Sequence, residues 1–197
     1  MSLAPYDPFI GQHLKTHAGE TTVDRAYIAH YVIPAASATA AGAANVLVAT
    51  ALTTAAQDIT TGITQPPTPR VLSITGSAAT AVGNVVITGT DAAGAALSET
   101  IVSTGAATVV GTKAFATITK ITLPLLASPD GETISVGLAG AFGLPYKLPY
   151  DTVIKILNNK VATTVASSHF STSILAENYI IPTAALNAAQ IDVYLIV

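Results

Sequence analysis

The stretch VVITGTDAAGAALSETIV, residues 85–102, decides the fold class. Its first half alternates Val85 and Ile87 with Val86 and Thr88, and its second half reads ALSETIV. Between them, Asp91 to Gly94 is a turn signal, with Gly94 available for a positive-φ position. A period of two places one row of side chains in a core and leaves a threonine-rich row outside. The segment is a strand, a turn and a strand, and it contains no histidine, cysteine, lysine or arginine. Its role is packing.

Working outward, the same texture recurs. In RVLSITGS, Leu72 and Ile74 share one face while Val71, Ser73 and Thr75 share the other. ATVVGTKAFATITKITL and ETISVGLAG continue the series, with Ile134, Val136 and Leu138 on one face. Turn signals at Gly83-Asn84, Asp91–Gly94, Gly105 and Pro129-Asp130-Gly131 separate strands at the short intervals typical of sandwiches and barrels. Upstream, YIAHYVI (27–33) and NVLVATAL (45–52) are candidate strands. The alanine-rich stretch 35–44 is open to helix, but Thr39 and Gly42 weaken it. QPPTP (65–69) is a linker or a loop crossing between sheets. Downstream, GLPYKLPYD (143–151) is a loop expected to pack through its tyrosine rings. Asn158-Asn159 is a two-residue hairpin turn between TVIKIL and KVATTVA. In the last strand, AQIDVYLIV, Ile191, Val193, Leu195 and Val197 form one face. Tyr194 and Ile196 leave the other nearly apolar too, so this strand is expected to be buried on both sides or covered by a partner.

The expectation is an all-β chain: a β-sandwich, immunoglobulin-like or jelly-roll-like, with an extended N-terminal arm. The arm covers 1–25, where Pro5 and Pro8 oppose helix. The sandwich covers 26–197, with a possible division into 26–64 plus 143–197 and 70–140.

Bulk composition narrows the function. The 197 residues suffice for a core without staples. There is no cysteine, which excludes disulfides, thiolate metal sites and cysteine catalysis. Charged residues make up 10% of the chain, against about 25% in ordinary soluble domains. Eight Lys plus Arg, thinly spread, make no basic patch, so nucleic acid is not an expected partner. No apolar run is long enough for a transmembrane helix, and residues 1–25 carry no apolar signal core, so no membrane partner or signal peptide is expected. An apolar, weakly charged surface points to coverage by other copies or partners.

Candidate chemistry is sparse. His13, His17 and Glu20 have the spacing of a helical metal site, but Pro8, Gly11 and Gly19 oppose a helix, and the residues are read as a polar arm. GLAGAFG spaces Gly137, Gly140 and Gly143 by three, yet Leu144-Pro145 follows instead of a helix, so a strand-to-loop transition is the reading rather than a phosphate cradle. Ser168 and His169 are adjacent, which on a strand sends them to opposite faces. Glu99, Asp130, Glu132 and Asp151 are isolated in sequence. No catalytic residue, metal ligand or cofactor is assigned, and the chain is read as non-enzymatic. The candidate interaction residues are Tyr6, Phe9, His13, His17, Tyr27, Tyr146, Tyr150, Tyr194 and Ile196.

Several phrases carry a resemblance: PRVLSITGSA, GNVVITGTDAAGAALSETIV, VVGTKAFATITKITLP, GLPYKLPYDTV and the closing IDVYLIV. Over roughly residues 45–197 the chain resembles virion structural proteins of tailed bacteriophages, of the head-associated capsid cement or decoration type. The resemblance implies a protein on the capsid exterior, assembled in the host cytoplasm, that binds the major capsid protein across subunit joints. It implies self-association, with a trimer suggested by the local threefold positions of capsid lattices. Two alternatives remain open: a tail-tube, tail-fibre or baseplate subunit, and a surface module binding a receptor or carbohydrate.

Overall fold

The computed structural model describes residues 28–184, 186 and 188–197, together with the backbone of Leu14–Lys15 and Thr22–Val23. Most of the arm 1–25 lies outside the described residues, as do Tyr6, Phe9, His13, His17, Glu20 and Tyr27. The chain is all-β, with 56% strand and several sheets, an arrangement compatible with a β-sandwich. The strands are β1 (Leu14–Lys15), β2 (Thr22–Val23), β3 (Ile28–Ile33), β4 (Gly42–Ala51), β5 (Gln57–Ile59), β6 (Arg70–Gly76), β7 (Val82–Thr90) and β8 (Ala96–Thr104). They continue with β9 (Thr108–Phe115), β10 (Thr117–Leu123), β11 (Thr133–Gly143), β12 (Val153–Asn158), β13 (Val161–Thr163), β14 (Val165–His169), β15 (Tyr179–Pro182) and β16 (Ile191–Ile196). Leu175–Glu177 forms one 3-10 turn. Among the described residues no helix is long and apolar enough to cross a membrane.

The hairpin read from residues 85–102 is β7–β8, paired from Val82↔Thr104 to Thr90↔Ala96 without a slip. Its turn is fixed by Asp91, whose Oδ1 accepts from the N–H groups of Ala93 (2.9 Å) and Ala95 (3.0 Å). Gly94 sits at φ 80°, where a side chain would be strained. Leu97, Glu99, Ile101 and Ser103 point inward, and Ala96, Ser98, Thr100, Val102 and Thr104 point to solvent.

Two cores result. The four-stranded sheet β5-β10-β7-β8 faces β4, β6 and β11 of a six-stranded sheet. Between them lie Val85, Ile87, Ile101, Ile118, Ile121 and Leu123 from one side and Leu47, Leu72, Ile74, Ile134 and Val136 from the other. The second core lies under the four-stranded sheet β13-β12-β16-β3, where Ile33, Ile156, Ile191, Val193 and Leu195 meet Phe142, Leu144, Leu148 and Ile180.

Strand β11 belongs to both cores. Along one edge it pairs with β6; along the other, β4 pairs at Thr133–Leu138 and β15 at Phe142–Gly143. The whole GLAGAFG phrase is therefore strand, which corrects the expected strand-to-loop transition. Gly137 permits it, because a Cβ there would fall 1.7 Å from the Gly42 carbonyl oxygen.

Other expectations shift as well. Segment 26–64 is divided: β3 joins the second core, while β4 and β5 pair with β11 and β10 of the first. The alanine-rich stretch makes only a turn at Pro34–Ala38 before β4 begins. Val71 and Ser73, expected outside, are buried; Val71 packs with Ala114, Ala139 and Ala141, which Tyr179 and Ile181 abut. The β12–β13 turn lies one residue later than read, at Asn159-Lys160, with φ of 49° and 65°. Two successive positive-φ residues suit the right-handed twist of a tight hairpin. Loop 144–152 is anchored by Leu144 and Leu148, with Tyr146 only partly buried and Tyr150 68% exposed.

Candidate functional site: an exposed apolar sheet face

The sheet β13-β12-β16-β3 buries one face in the second core, and among the described residues nothing covers the other. The cause is legible in IDVYLI and IAHYVI: Ile191, Val193 and Leu195 alternate with Asp192, Tyr194 and Ile196, and Ala29, Tyr31 and Ile33 alternate with Ile28, His30 and Val32. Register aligns the outer rows, with Ile196 opposite Ile28, Tyr194 opposite His30 and Asp192 opposite Val32. On β12, Ile154, Lys155 and Leu157 join Ile28 and Tyr194 around one shallow depression. Ile28 is 65% exposed, Ile154 54%, and Val32 and Ile196 each 39%. A β-sheet face in water ordinarily carries polar residues, so this apolar row is the candidate contact surface.

His30, Asp192 and Gln190 bond to one another, while Lys155 of β12 stands exposed on the same face. The His30 ring stacks on Tyr194 with centroids 4.4 Å apart and planes 1° from parallel. His30 Nε2 lies 2.9 Å from Asp192 Oδ1, and Gln190 Nε2 donates to both Asp192 oxygens at 2.9 and 3.1 Å. Their mutual hydrogen bonds lower the cost of covering them. Beside the face, Tyr146, Pro149, Tyr150, Ile196 and Val197 line a second groove. Of the sequence-derived candidates, Tyr146, Tyr150 and Ile196 therefore share one groove, and Tyr194 lies on the adjoining face. His30 is read from the sequence as a packed or subunit-contacting ring in an apolar strand, whereas Ile28, Val32 and Ile154 were missed; the alternation in IAHYVI was the available signal, obscured because both of its rows are largely apolar.

Among the described residues no group of three His, Asp or Glu side chains is placed to hold a metal ion. His169 Nδ1 lies 2.8 Å from the Glu177 carbonyl oxygen, and its ring stacks on Tyr179 at 5.7 Å, which makes it a packing element.

Glu99 is a buried acid away from this face. It lies on the inward row of β8, and its Oε1 accepts from Thr112 N (2.5 Å) and Thr112 Oγ1 (3.0 Å) of β9. Oε2 is buried without a partner. Burial pushes the Glu99 carboxyl above its ordinary range, partly offset by Thr112 and Lys113. A raised folded-state pKa favours the protonated form on folding. That contribution is complete below the unfolded-state pKa and is lost as pH rises through the folded one. Glu99→Gln is therefore expected to raise the melting temperature at neutral pH and to flatten its decline between acidic and neutral pH. Thermal unfolding followed at several pH values checks this, and an unchanged pH profile would count against it.

Comparisons with protein-family models, with curated proteins and with solved structures return no match, so the functional reading rests on the chain's own residues and geometry.

Proposed function

We propose that this protein is a non-enzymatic structural component of a tailed-bacteriophage virion, of the capsid cement or decoration type. In this reading it is a β-sandwich, immunoglobulin-like or jelly-roll-like, with an extended leading arm. It sits on the capsid exterior, associates with itself, and seals joints between subunits of the major capsid protein. The observation that carries the reading is the exposed apolar face of β12, β16 and β3, on which His30, Asp192 and Gln190 hydrogen-bond one another. A surface of this kind gains affinity from apolar burial and multiplies it by avidity over repeated lattice positions. The phrases that resemble the phage family supply the choice of capsid among possible partners.

The test is co-sedimentation with shells assembled from the accompanying major capsid protein, together with electron cryo-microscopy of the particle. Wild-type protein is expected to co-sediment and to appear as density on the head. Burying an exposed isoleucine contributes about 1.5–3 kcal/mol. Ile154→Lys combined with Ile196→Lys is therefore expected to weaken binding by on the order of 100-fold or more. Density confined to the tail, or binding indifferent to both lysines, would reject the reading.

A further inference from the structure

We propose that β3 pairs antiparallel with β3 of a second copy across a twofold axis, joining two four-stranded sheets into one of eight. The sheet order places β3 at an end. It pairs with β16 through six consecutive residues without a slip, so its other edge is regular, and among the described residues no strand occupies it. Residues 28–33 include no proline, glycine, lysine or carboxylate, the devices by which natural edges are blunted.

Other edges carry such devices. Strands β5 and β13 are three residues long. Strand β14 slips register between Val165 and Ser167. Strands β8 and β9 are tied to each other by Glu99 with Thr112 and by Lys113 Nζ donating to the Ser98 carbonyl. Strand β4, which pairs with β11, slips register twice along it, and its Val46 carbonyl accepts from the Thr64 N–H. Among the described residues β3 carries none of these devices, and a long regular edge of this kind is one that pairs in the working form.

A second copy fits this edge because IAHYVI brings no carboxylate or lysine against itself, so self-pairing meets no like-charge penalty from those groups. The ring of His30 is already engaged by Tyr194 and Asp192. Size gives an independent argument. Three strands of six residues and one of three, about 4.8 Å apart with about 3.3 Å per residue, make a face of roughly 330 Å². A specific interface takes about 800 Å² from each partner. A twofold axis perpendicular to the sheet puts both outer faces on the same side and doubles the surface toward that size. Only this last link, to docking, rests on the function proposed above; the edge argument stands without it. The pairing is twofold, in contrast to the trimer that lattice positions suggest.

Sedimentation of the full chain through the micromolar range tests the pairing, with amide exchange over residues 28–33 as a second readout. The wild type is expected to be a dimer whose β3 amides gain protection with concentration. Ile28→Lys with Val32→Lys places lysines on exposed positions of the edge strand. This variant is expected to be monomeric, with unchanged circular dichroism and melting temperature. Ile154→Lys, away from the edge on β12, is expected to leave the dimer intact. A monomeric or trimeric wild type, or a dimer that ignores the two edge lysines, overturns the inference. A dimer that forms but does not bind shells upholds it while rejecting the capsid reading.

Discussion

Arg70→Ala is expected to destabilise the protein by about 3–5 kcal/mol, the range for losing a large buried side chain together with its hydrogen bonds. Arg70 is fully buried. Between Leu138↔Leu72 and Phe142↔Arg70, β11 has three residues where β6 has only Val71. This bulge lies where β11 exchanges β4 for β15 as its edge partner and leaves one core for the other. Arg70 fastens it. Its Nε donates to the Ala139 carbonyl at 3.1 Å, Nη2 donates to the same oxygen, and Nη1 donates to the Thr39 carbonyl at 3.0 Å. The guanidinium carbon lies 4.1 Å from the centre of the Phe142 ring, a cation–π contact. Burial pulls the Arg70 pKa down to about 10, which still leaves it charged at neutral pH. Arg70→Met separates packing from hydrogen bonding, because it restores much of the volume and none of the donors. Its expected loss is about 2–3 kcal/mol, since the buried Ala139 carbonyl and the part-buried Thr39 carbonyl forfeit charge-assisted bonds. Urea unfolding with a constant m-value measures both variants, and an Arg70→Ala protein within about 1 kcal/mol of wild type would remove Arg70 as the fastener of the bulge.

Much of this architecture was legible in the sequence because its cause is local. The hairpin at 85–102 needs only a period of two and an Asp-to-Gly turn. The apolar outer row of β16 follows from Tyr194 and Ile196 alternating with Val193 and Leu195. Glu99 was legible in principle, since it shares the row of Leu97 and Ile101, but its carboxylate was read as isolated rather than inward. What could not be read depends on partners distant in sequence. Strand β4 fills the edge of β11 about ninety residues away, and nothing in NVLVATAL names that partner. Arg70 follows a proline-rich loop, where an arginine is ordinarily solvated; only the bulge at Ala139–Ala141 gives its donors a buried target. Tyr146 and Tyr150 drew attention by their size, yet the loop is held by Leu144 and Leu148, because the tyrosines keep a polar end near water.

Asn178→Asp exchanges one side-chain nitrogen for oxygen and is expected to cost about 3–4 kcal/mol at neutral pH, more than its size suggests. Asn178 is fully buried behind the 3-10 turn. Its Nδ2 donates to the carbonyls of Ser171 (2.9 Å), Ile174 (2.9 Å) and Leu175 (3.2 Å). Its Oδ1 accepts from the N–H groups of Leu148 and Ser171, both at 3.0 Å. One amide thus closes loop 170–177 and pins loop 144–152, while its backbone carbonyl accepts from Leu144 N–H at 2.7 Å. An aspartate in this place turns an acceptor toward three carbonyl oxygens and buries a charge with no cation beside it among those contacts. Desolvation and the facing carbonyls would both raise its pKa, so the protonated acid is the form that folds best. Acidification should therefore restore part of the loss, because the carboxyl then donates to one of the three carbonyls. Asn178→Ala removes the same bonds without adding charge, and its deficit should stay constant over that pH range. The two variants unfolded in parallel at acidic and neutral pH decide the matter. If Asn178→Asp shows no recovery on acidification, its destabilisation does not come from a buried acceptor facing carbonyls. The packing of Leu144 and Leu148 beneath the outer sheet would then depend on something other than this amide.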